Sequence, residues 1–407
     1  MRNSLETALT QVLTQRRQKS ALRTLTLPAA NSIDFSSNDF LSLSHAPSLR
    51  RLLLSELSTS SLPLGSGGSR LLDGNSAYAE QLERDIAAFL KGPAGLIFNS
   101  GFDANAGFFA CVPQPGDVLI YDELIHASVH EGMRLSRAGS RIPFRHNDVG
   151  ELRQILASHS GKGRNIFVAV ESLYSMDGDL APLQQLVEAV ERAEGHLVVD
   201  EAHATGVFGP RGRGLVCELG LEKRVFARLH TFGKALACNG AIILCSPLLR
   251  EYLINYARTL IFTTALSLPS LACIKAAFTL LQSGETEAAQ HRLHDTIRHL
   301  HQQLQQHLPS TPLAALQNPL VTNTPIVSLL SRRPRSLAAF LQQAAFVVRP
   351  IVHPTVPRGL ERVRICVHAA NTRCEVDALV ARIREWVEGQ VEQEDEEGGA
   401  EVGRAKL

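Results

Sequence analysis

The sequence predicts an α/β fold with a largely parallel sheet, continued by a smaller α+β region. Three observations carry this reading. Helix-type and strand-type apolar spacing alternate from about residue 76 to 245. The strand-type runs are short and apolar, and after about residue 265 the texture changes to long helical pieces with fewer strands. With 407 residues, 44% hydrophobic and 20% charged, the chain can bury the cores of two domains plus a short arm. The expected division is an N-terminal arm 1–45, a large domain 46–265, a C-terminal domain 266–388 against which the arm packs, and a disordered acidic tail 389–407.

The first strong helix spans Ser76 to Leu90, with Leu82, Ile86, Phe89 and Leu90 on one face and Asn75 or Ser76 as cap. Strands are expected at Gly95 to Phe98, Val118 to Tyr121, Ile166 to Val170, Leu197 to Val199, Ala227 to His230 and Ala241 to Leu244. Pro182 opens a helix that places Leu183, Leu186, Val187 and Val190 at helical spacing. Residues 285–308 read as a polar helix whose histidines, His291, His294, His299, His301 and His307, suit a solvated face better than a metal site, because no acid or cysteine closes a ligand set. A final helix begins at the capping box Thr372-Arg373-Cys374-Glu375 and buries Val376, Leu379, Val380 and Ile383, with Trp386 anchoring its end.

Charge and composition narrow the partners. The 41 basic and 40 acidic side chains leave a net charge of +1, so nucleic acid and anionic membrane are not expected and a small-molecule substrate is. Seven scattered cysteines, none in a closely spaced pair, read as reduced core thiols, with Cys238 notable for its nearness to Lys234. No apolar run has the length of a membrane helix, and Met1 to Ser20 lacks the apolar core of a secretory signal. The acidic stretch Glu388 to Glu401 leads to Ala405-Lys406-Leu407, a variant of the Ser-Lys-Leu address, so a peroxisomal location is expected, with the cytoplasm as alternative.

The chemistry concentrates at two segments. Lys234, in Thr231-Phe232-Gly233-Lys234, follows a strand and a glycine, and a lysine there serves as an imine-forming amine when its neighbourhood lowers its pKa. Asp200 ends the run Leu197 to Val199, where ligands bind in α/β sheets, and its carboxylate can hold a pyridine nitrogen protonated. An amine and an acid so placed are the requirements of pyridoxal phosphate chemistry. His203 can reach a ring hydroxyl. Asn99-Ser100-Gly101-Phe102-Asp103 turns from strand to helix and offers backbone amides to a phosphate. His126 can lay a flat imidazole over an aromatic ring, or be a structural histidine; Ser175 can donate to a ring oxygen, or belong to a simple Asp177-Gly178 turn.

Five strings in order, Ser36-Ser37-Asn38-Asp39-Phe40-Leu41, Gly65-Ser66-Gly67-Gly68-Ser69-Arg70, Ser175-Met176-Asp177-Gly178-Asp179, Asp200-Glu201-Ala202-His203-Ala204-Thr205-Gly206 and Thr231-Phe232-Gly233-Lys234, resemble the α-oxoamine synthases. These are pyridoxal phosphate enzymes on the aspartate aminotransferase fold (fold type I), and the likeness runs from about residue 10 to 385. The resemblance implies a mostly parallel seven-stranded sheet, pyridoxal 5'-phosphate as cofactor and a homodimer with shared active sites. It implies that Lys234 bonds the cofactor, Asp200 pairs with its ring nitrogen, His203 meets its hydroxyl and His126 stacks on it. Gly101, Phe102, Ser175 and Thr231 are implied as further cofactor contacts, and Thr263 or Thr264 as reaching the phosphate from the neighbouring subunit. On the substrate side it implies Arg23 in the arm, Asn38, Thr355, and Arg364 as the clamp on an amino-acid carboxylate.

The reaction the resemblance implies is a decarboxylating condensation of L-alanine with pimeloyl-CoA, the entry to biotin-ring synthesis. Glycine- or serine-using relatives and a specialised-metabolite synthase share every cofactor residue, and an inactive scaffold subunit is the non-enzyme alternative. Departures from the family pattern are Ser42 after Leu41, the longer link Ile351-Val352-His353 before Pro354-Thr355, Asn371 where relatives carry His, and Cys238-Asn239. Ser42 costs little unless its backbone needs a positive φ.

Overall fold

The computed structural model of the chain describes residues 4–19, 21–308 and 323–404. The six expected apolar runs are strands of one seven-stranded sheet: β2 Ala94–Phe98, β3 Val118–Asp122, β5 Ile166–Glu171, β6 His196–Asp200, β7 Ala227–Thr231 and β8 Ala241–Cys245. A short arm strand, β1 Ile33–Asp34, precedes them, and β4 Ser140–Phe144 completes the sheet at its edge in the order β2-β8-β7-β6-β5-β3-β4. Only β8 runs against the rest, so four of the five inner strands present their carboxyl ends on one side. β4 escaped the sequence reading because half of it faces solvent and it contains Pro143, which only an edge strand tolerates.

Helices cover both faces. Ala77–Phe89 begins at Ser76, whose Oγ accepts from the Ala79 amide at 3.1 Å, and buries Leu82, Ile86 and Phe89. Each such side chain contributes roughly 1.5–3 kcal/mol by leaving water. Leu183–Arg192 buries Leu183, Leu186, Val187 and Val190 against the same core.

The C-terminal region holds β9 Ile326–Leu330, β10 Phe346–Val347, β11 Arg349–Ile351 and β12 Arg362–Cys366, of which β11-β12-β9 form an antiparallel sheet. The arm joins it: Ile33 and Asp34 pair in parallel with Phe346 and Val347, and the Cys366 and Ala369 amides donate to Phe35 O and Phe40 O. Asn371, one of the departures, accepts from the His368 amide and donates to Asp34 O, so it too fastens the arm. Ser42 does need the left-handed conformation, with φ 57°, at a cost of about 1 kcal/mol. Its Oγ accepts from the Ala370 amide at 3.1 Å, a bond glycine cannot make.

The two regions are fastened at the loop after β5. Arg362 pairs with Asp177, Thr324 and Ser328 hydroxyls donate to Gly178 O and Met176 O, and a Cβ on Gly178 would lie 2.0 Å from Ile326 O.

The last helix, Arg373–Arg404, carries the expected capping box: Glu375 N donates to Thr372 Oγ1 at 3.2 Å and Thr372 N to Glu375 Oε2 at 2.7 Å. It continues past 388, so the acidic stretch expected to be disordered is helical backbone as far as Arg404. The Glu- and Gln-rich run Val391 to Glu397 contains good helix formers and no proline, which propagates the helix. Ala405-Lys406-Leu407 lies outside the described residues.

The cysteines are free, as read, but not all are core: Cys111, Cys217, Cys245 and Cys366 are buried, Cys238 and Cys273 half-buried, and Cys374 exposed in the first turn of the last helix. Among the described residues no helix is long and apolar enough to cross a membrane.

Candidate active site

The carboxyl ends of β5, β6 and β7 bring Glu171, Asp200 and Thr231 side by side, Glu171 in register with Asp200. The first turn after β7 adds Lys234, whose loop is fixed by Ala237 N donating to Lys234 O and Cys238 N donating to Phe232 O. Burial pushes the Lys234 ammonium down to about 8, against the opposing pull of the Asp200 and Glu171 carboxylates, while Arg364 adds to the lowering. A substantial share of the amine is therefore neutral near pH 8, as a nucleophilic lysine requires.

Asp200 is held as a carboxylate should be held if it is to face a cation. Its Oδ1 accepts from Ala202 N at 2.9 Å and its Oδ2 from Asn105 Nδ2 at 2.7 Å. Asn105 also donates to Ser128 Oγ at 3.0 Å, and Ser128 Oγ lies 2.8 Å from His126 Nδ1. Because Nδ1 also accepts from the Ser128 amide at 3.2 Å, the proton of His126 resides on Nε2. A polar chain thus runs from His126 through Ser128 and Asn105 to Asp200. Burial, with Lys234 and His130 nearby, keeps the His126 imidazole below its ordinary pKa, although Asp200 pulls the other way.

His203 is buried beside Phe40, ring centroids 6.0 Å apart, and its Nδ1 has no partner among the described residues. Burial and then the Lys234 and Arg364 cations hold it well below its usual pKa, so it is neutral. Glu171 is equally buried; its Oε2 accepts from Ser175 N at 3.2 Å and its Oε1 has no partner. Burial and the neighbouring Asp200 charge raise its pKa well above the carboxylate range.

The helix Gly101–Cys111 starts beside these groups. Ser100 Oγ caps the Asp103 amide at 3.0 Å, leaving the first-turn amides of Gly101 and Phe102 without a carbonyl in the helix. Gly101 packs on Thr231: an added Cβ would sit 3.4 Å from its Oγ1, so the backbone and the threonine form one shallow cradle fit for an anion. Thr263 and Thr264 lie against Asn99 of the same chain, which donates to Thr263 Oγ1 at 3.2 Å and to Thr264 O at 2.7 Å. On the other side Arg364 donates from Nε to Ser175 O at 2.7 Å and from Nη2 to Asn38 Oδ1 at 3.0 Å, uniting three expected residues.

Two expected residues stay apart from this cluster. Arg23 lies on the exposed segment after the first helix, and Thr355 on the exposed loop between β11 and β12, with only its amide bonded, to Val352 O. Asn105, Ser128 and Glu171 were missed. Glu171 had a signal, an acid ending an apolar strand as Asp200 does; Asn105, a lone amide among apolar helix residues, had a fainter one. Beside Lys234 a cleft of ≈ 1370 Å³ opens, lined also by Asn38, Gly233, Cys238 and His368.

Comparison with known proteins gives the family. Residues 30–383 match the family Aminotransferase class I and II. The chain belongs to that family. Within it the protein is an α-oxoamine synthase: it is 53% identical over 398 residues, 94% of this chain and 96% of the relative, to 8-amino-7-oxononanoate synthase of Emericella nidulans. It is 40% identical to the aminoacyl transferase sphA of Byssochlamys spectabilis over 90% of this chain and 83% of that one. The fold matches serine palmitoyltransferase of Sphingomonas wittichii with a TM-score of 0.82 at 23% identity, over 92% of this chain and 96% of the other. The expected fold type I architecture, with a seven-stranded mostly parallel sheet and a smaller C-terminal sheet, is therefore the one present.

Proposed function

We propose that the protein is a pyridoxal 5'-phosphate-dependent acyltransferase that condenses L-alanine with pimeloyl-CoA, releasing CO2 and CoA and forming 8-amino-7-oxononanoate, the product in the name of its 53% identical relative. The residues fit the cofactor. Asp200, locked by Asn105 and Ala202, offers a carboxylate to a pyridinium nitrogen, and the orphaned Nδ1 of buried His203 awaits a polar partner such as the ring hydroxyl. The Gly101 and Phe102 amides with Thr231 form the anion cradle, and the neutral imidazole of His126 supplies a flat face. When bound, pyridoxal phosphate supplies an electron sink for charge left at the substrate α-carbon.

The protein's own part follows from its groups. The Lys234 amine would hold the cofactor, and its Nζ would take the α-proton of alanine and return one to the product carbon, a role suited to an amine held near pKa 8. Arg364, oriented by Ser175 O and Asn38, presents its remaining guanidinium donors to the alanine carboxylate. Buried, neutral His203 and the high-pKa Glu171 keep excess charge away from that exchange.

The observation that carries the reading is the amine of Lys234 lowered to about 8 beside a carboxylate already fixed in place. The test is a panel of L-alanine, glycine and L-serine, each with pimeloyl-CoA, with products identified by mass. The likeness to an aminoacyl transferase is the reason for all three. Preference for glycine or serine defeats the alanine assignment.

A homodimer with Arg23 and Thr263 or Thr264 serving shared sites is part of the same proposal. Its support is apolar surface one copy leaves uncovered: the helix Ser4–Gln18 has no buried residue, and Leu25, Leu27 and Phe262 are 105%, 95% and 70% exposed. A monomeric mass in solution rules it out. Peroxisomal residence rests on Ala405-Lys406-Leu407, and deleting the tripeptide from a fluorescent fusion should disperse a punctate signal.

A further inference from the structure

Away from the strand-end cluster, two cysteines from distant parts of the chain meet. Cys238 lies in the loop that carries Lys234, and Cys273 in the helix Leu268–Ser283; their Sγ atoms are 3.4 Å apart across a separation of 35 residues. The Cys238 S–H also has Leu236 O within 3.0 Å. Both residues are half-buried rather than sealed, and Cys238 lines the cleft beside Lys234, which gives a small solute a way in. The buried cysteines differ: Cys217, for instance, is occupied by Arg228 Nη1 and Leu90 O.

The geometry needs little change to form a bond. A disulfide places its sulfurs about 2.05 Å apart, so side-chain rotation and a small shift of the loop suffice. The thiol chemistry is favourable too, since the S–H of Cys238 directed at Cys273 lowers the Cys273 thiol to about 7 and makes its thiolate available near neutral pH.

We propose that Cys238 and Cys273 are an oxidisable dithiol that a peroxide converts to an intramolecular disulfide, tying the lysine loop to the helix Leu268–Ser283 and lowering turnover. The Cys273 thiolate attacks one peroxide oxygen, the O–O bond breaks, and the leaving hydroxide takes a proton to become water. The resulting sulfenic acid is attacked at sulfur by Cys238; its hydroxyl leaves with the Cys238 proton as a second water. Two thiols and one hydrogen peroxide thus give one disulfide and two waters, the sulfurs losing the two electrons the peroxide gains. The loop so tied contains Ala237, already at φ 52°, and begins at Lys234, so the effect on turnover rests on the function proposed above for that amine.

The experiment treats the full-length, cofactor-loaded enzyme with hydrogen peroxide, digests it without reductant and maps linked peptides by mass. A Cys238–Cys273 peptide is expected, with turnover falling several-fold and returning on addition of dithiothreitol. Cys273→Ser and Cys238→Ser should give no such peptide and keep their turnover under peroxide, with Cys273→Ala as a second variant should the serine disturb folding. Cys374→Ser, which removes the exposed thiol, should behave as the unmodified chain. Absence of the linked peptide overturns the proposal, as does a linked enzyme of undiminished turnover or a Cys273 variant inactivated as fast as the parent.

Discussion

Asp200, Glu171, Thr231 and Lys234 stand on the ends of central strands, buried or nearly so and interlocked with Asn105, Ser128 and His126, whereas Arg23 and Thr355 project from exposed segments with scarcely a bond between them. The strand-end cluster is a braced wall, and Arg23 and Thr355 are an exposed rim apart from it. Groups that must bear charge at a fixed atom need rigid support, because a carboxylate misplaced by an ångström loses much of its effect. Groups that need not hold a charge at a fixed atom tolerate a looser setting.

The sharpest test of that contrast is at the wall. Lys234→Ala should lower turnover by at least about 10⁴-fold and remove the covalent hold on the cofactor, read as loss of visible absorbance after desalting. Asp200→Asn should follow at roughly 10² to 10³-fold in kcat with KM for pimeloyl-CoA little changed. Asn105→Ala, which leaves Asp200 Oδ2 without its donor, should cost roughly 10- to 100-fold, in line with ~1.5–3 kcal/mol for a hydrogen bond to a charged group. Arg23→Ala and Thr355→Ala should instead raise KM for the acyl-CoA several-fold while sparing kcat. Rim variants that cut kcat as deeply as Asn105→Ala would erase the distinction between the two sides.

The smallest expected effect is on stability. His146, between Asp122 at 2.9 Å and Asp179 at 2.8 Å, is raised from 6.5 to about 10: burial opposes the shift, and the two carboxylates, as hydrogen-bond partners and as charges, outweigh it. A folded pKa above the unfolded one stabilises fully below pH 6.5, and that stability fades as pH climbs through about 10. Tm should therefore decline across that window, and more shallowly in His146→Asn.

Lys234 and Asp200 were legible in the sequence because each follows an apolar strand run within a distinctive string, and six of the seven strands of the large sheet because their runs are apolar and uninterrupted. Asn105 and Ser128 were not, since their meaning lies in a hydrogen-bonded chain among residues 23 to 95 positions apart. β4 hid behind Pro143 and a solvent-facing alternation, and the helical course of residues 389–404 behind its charge. Ser42 was recognised as a departure, but the bond it makes to Ala370 could be seen only in three dimensions.

The seam at Gly178 has a mechanical consequence. With no room for a side chain against Ile326 O, and with Thr324, Ser328 and Arg362 riveted to the same short loop, the two lobes cannot slide past each other there. Any relative motion of the lobes is thereby pinned at the very loop whose Ser175 carbonyl steadies Arg364.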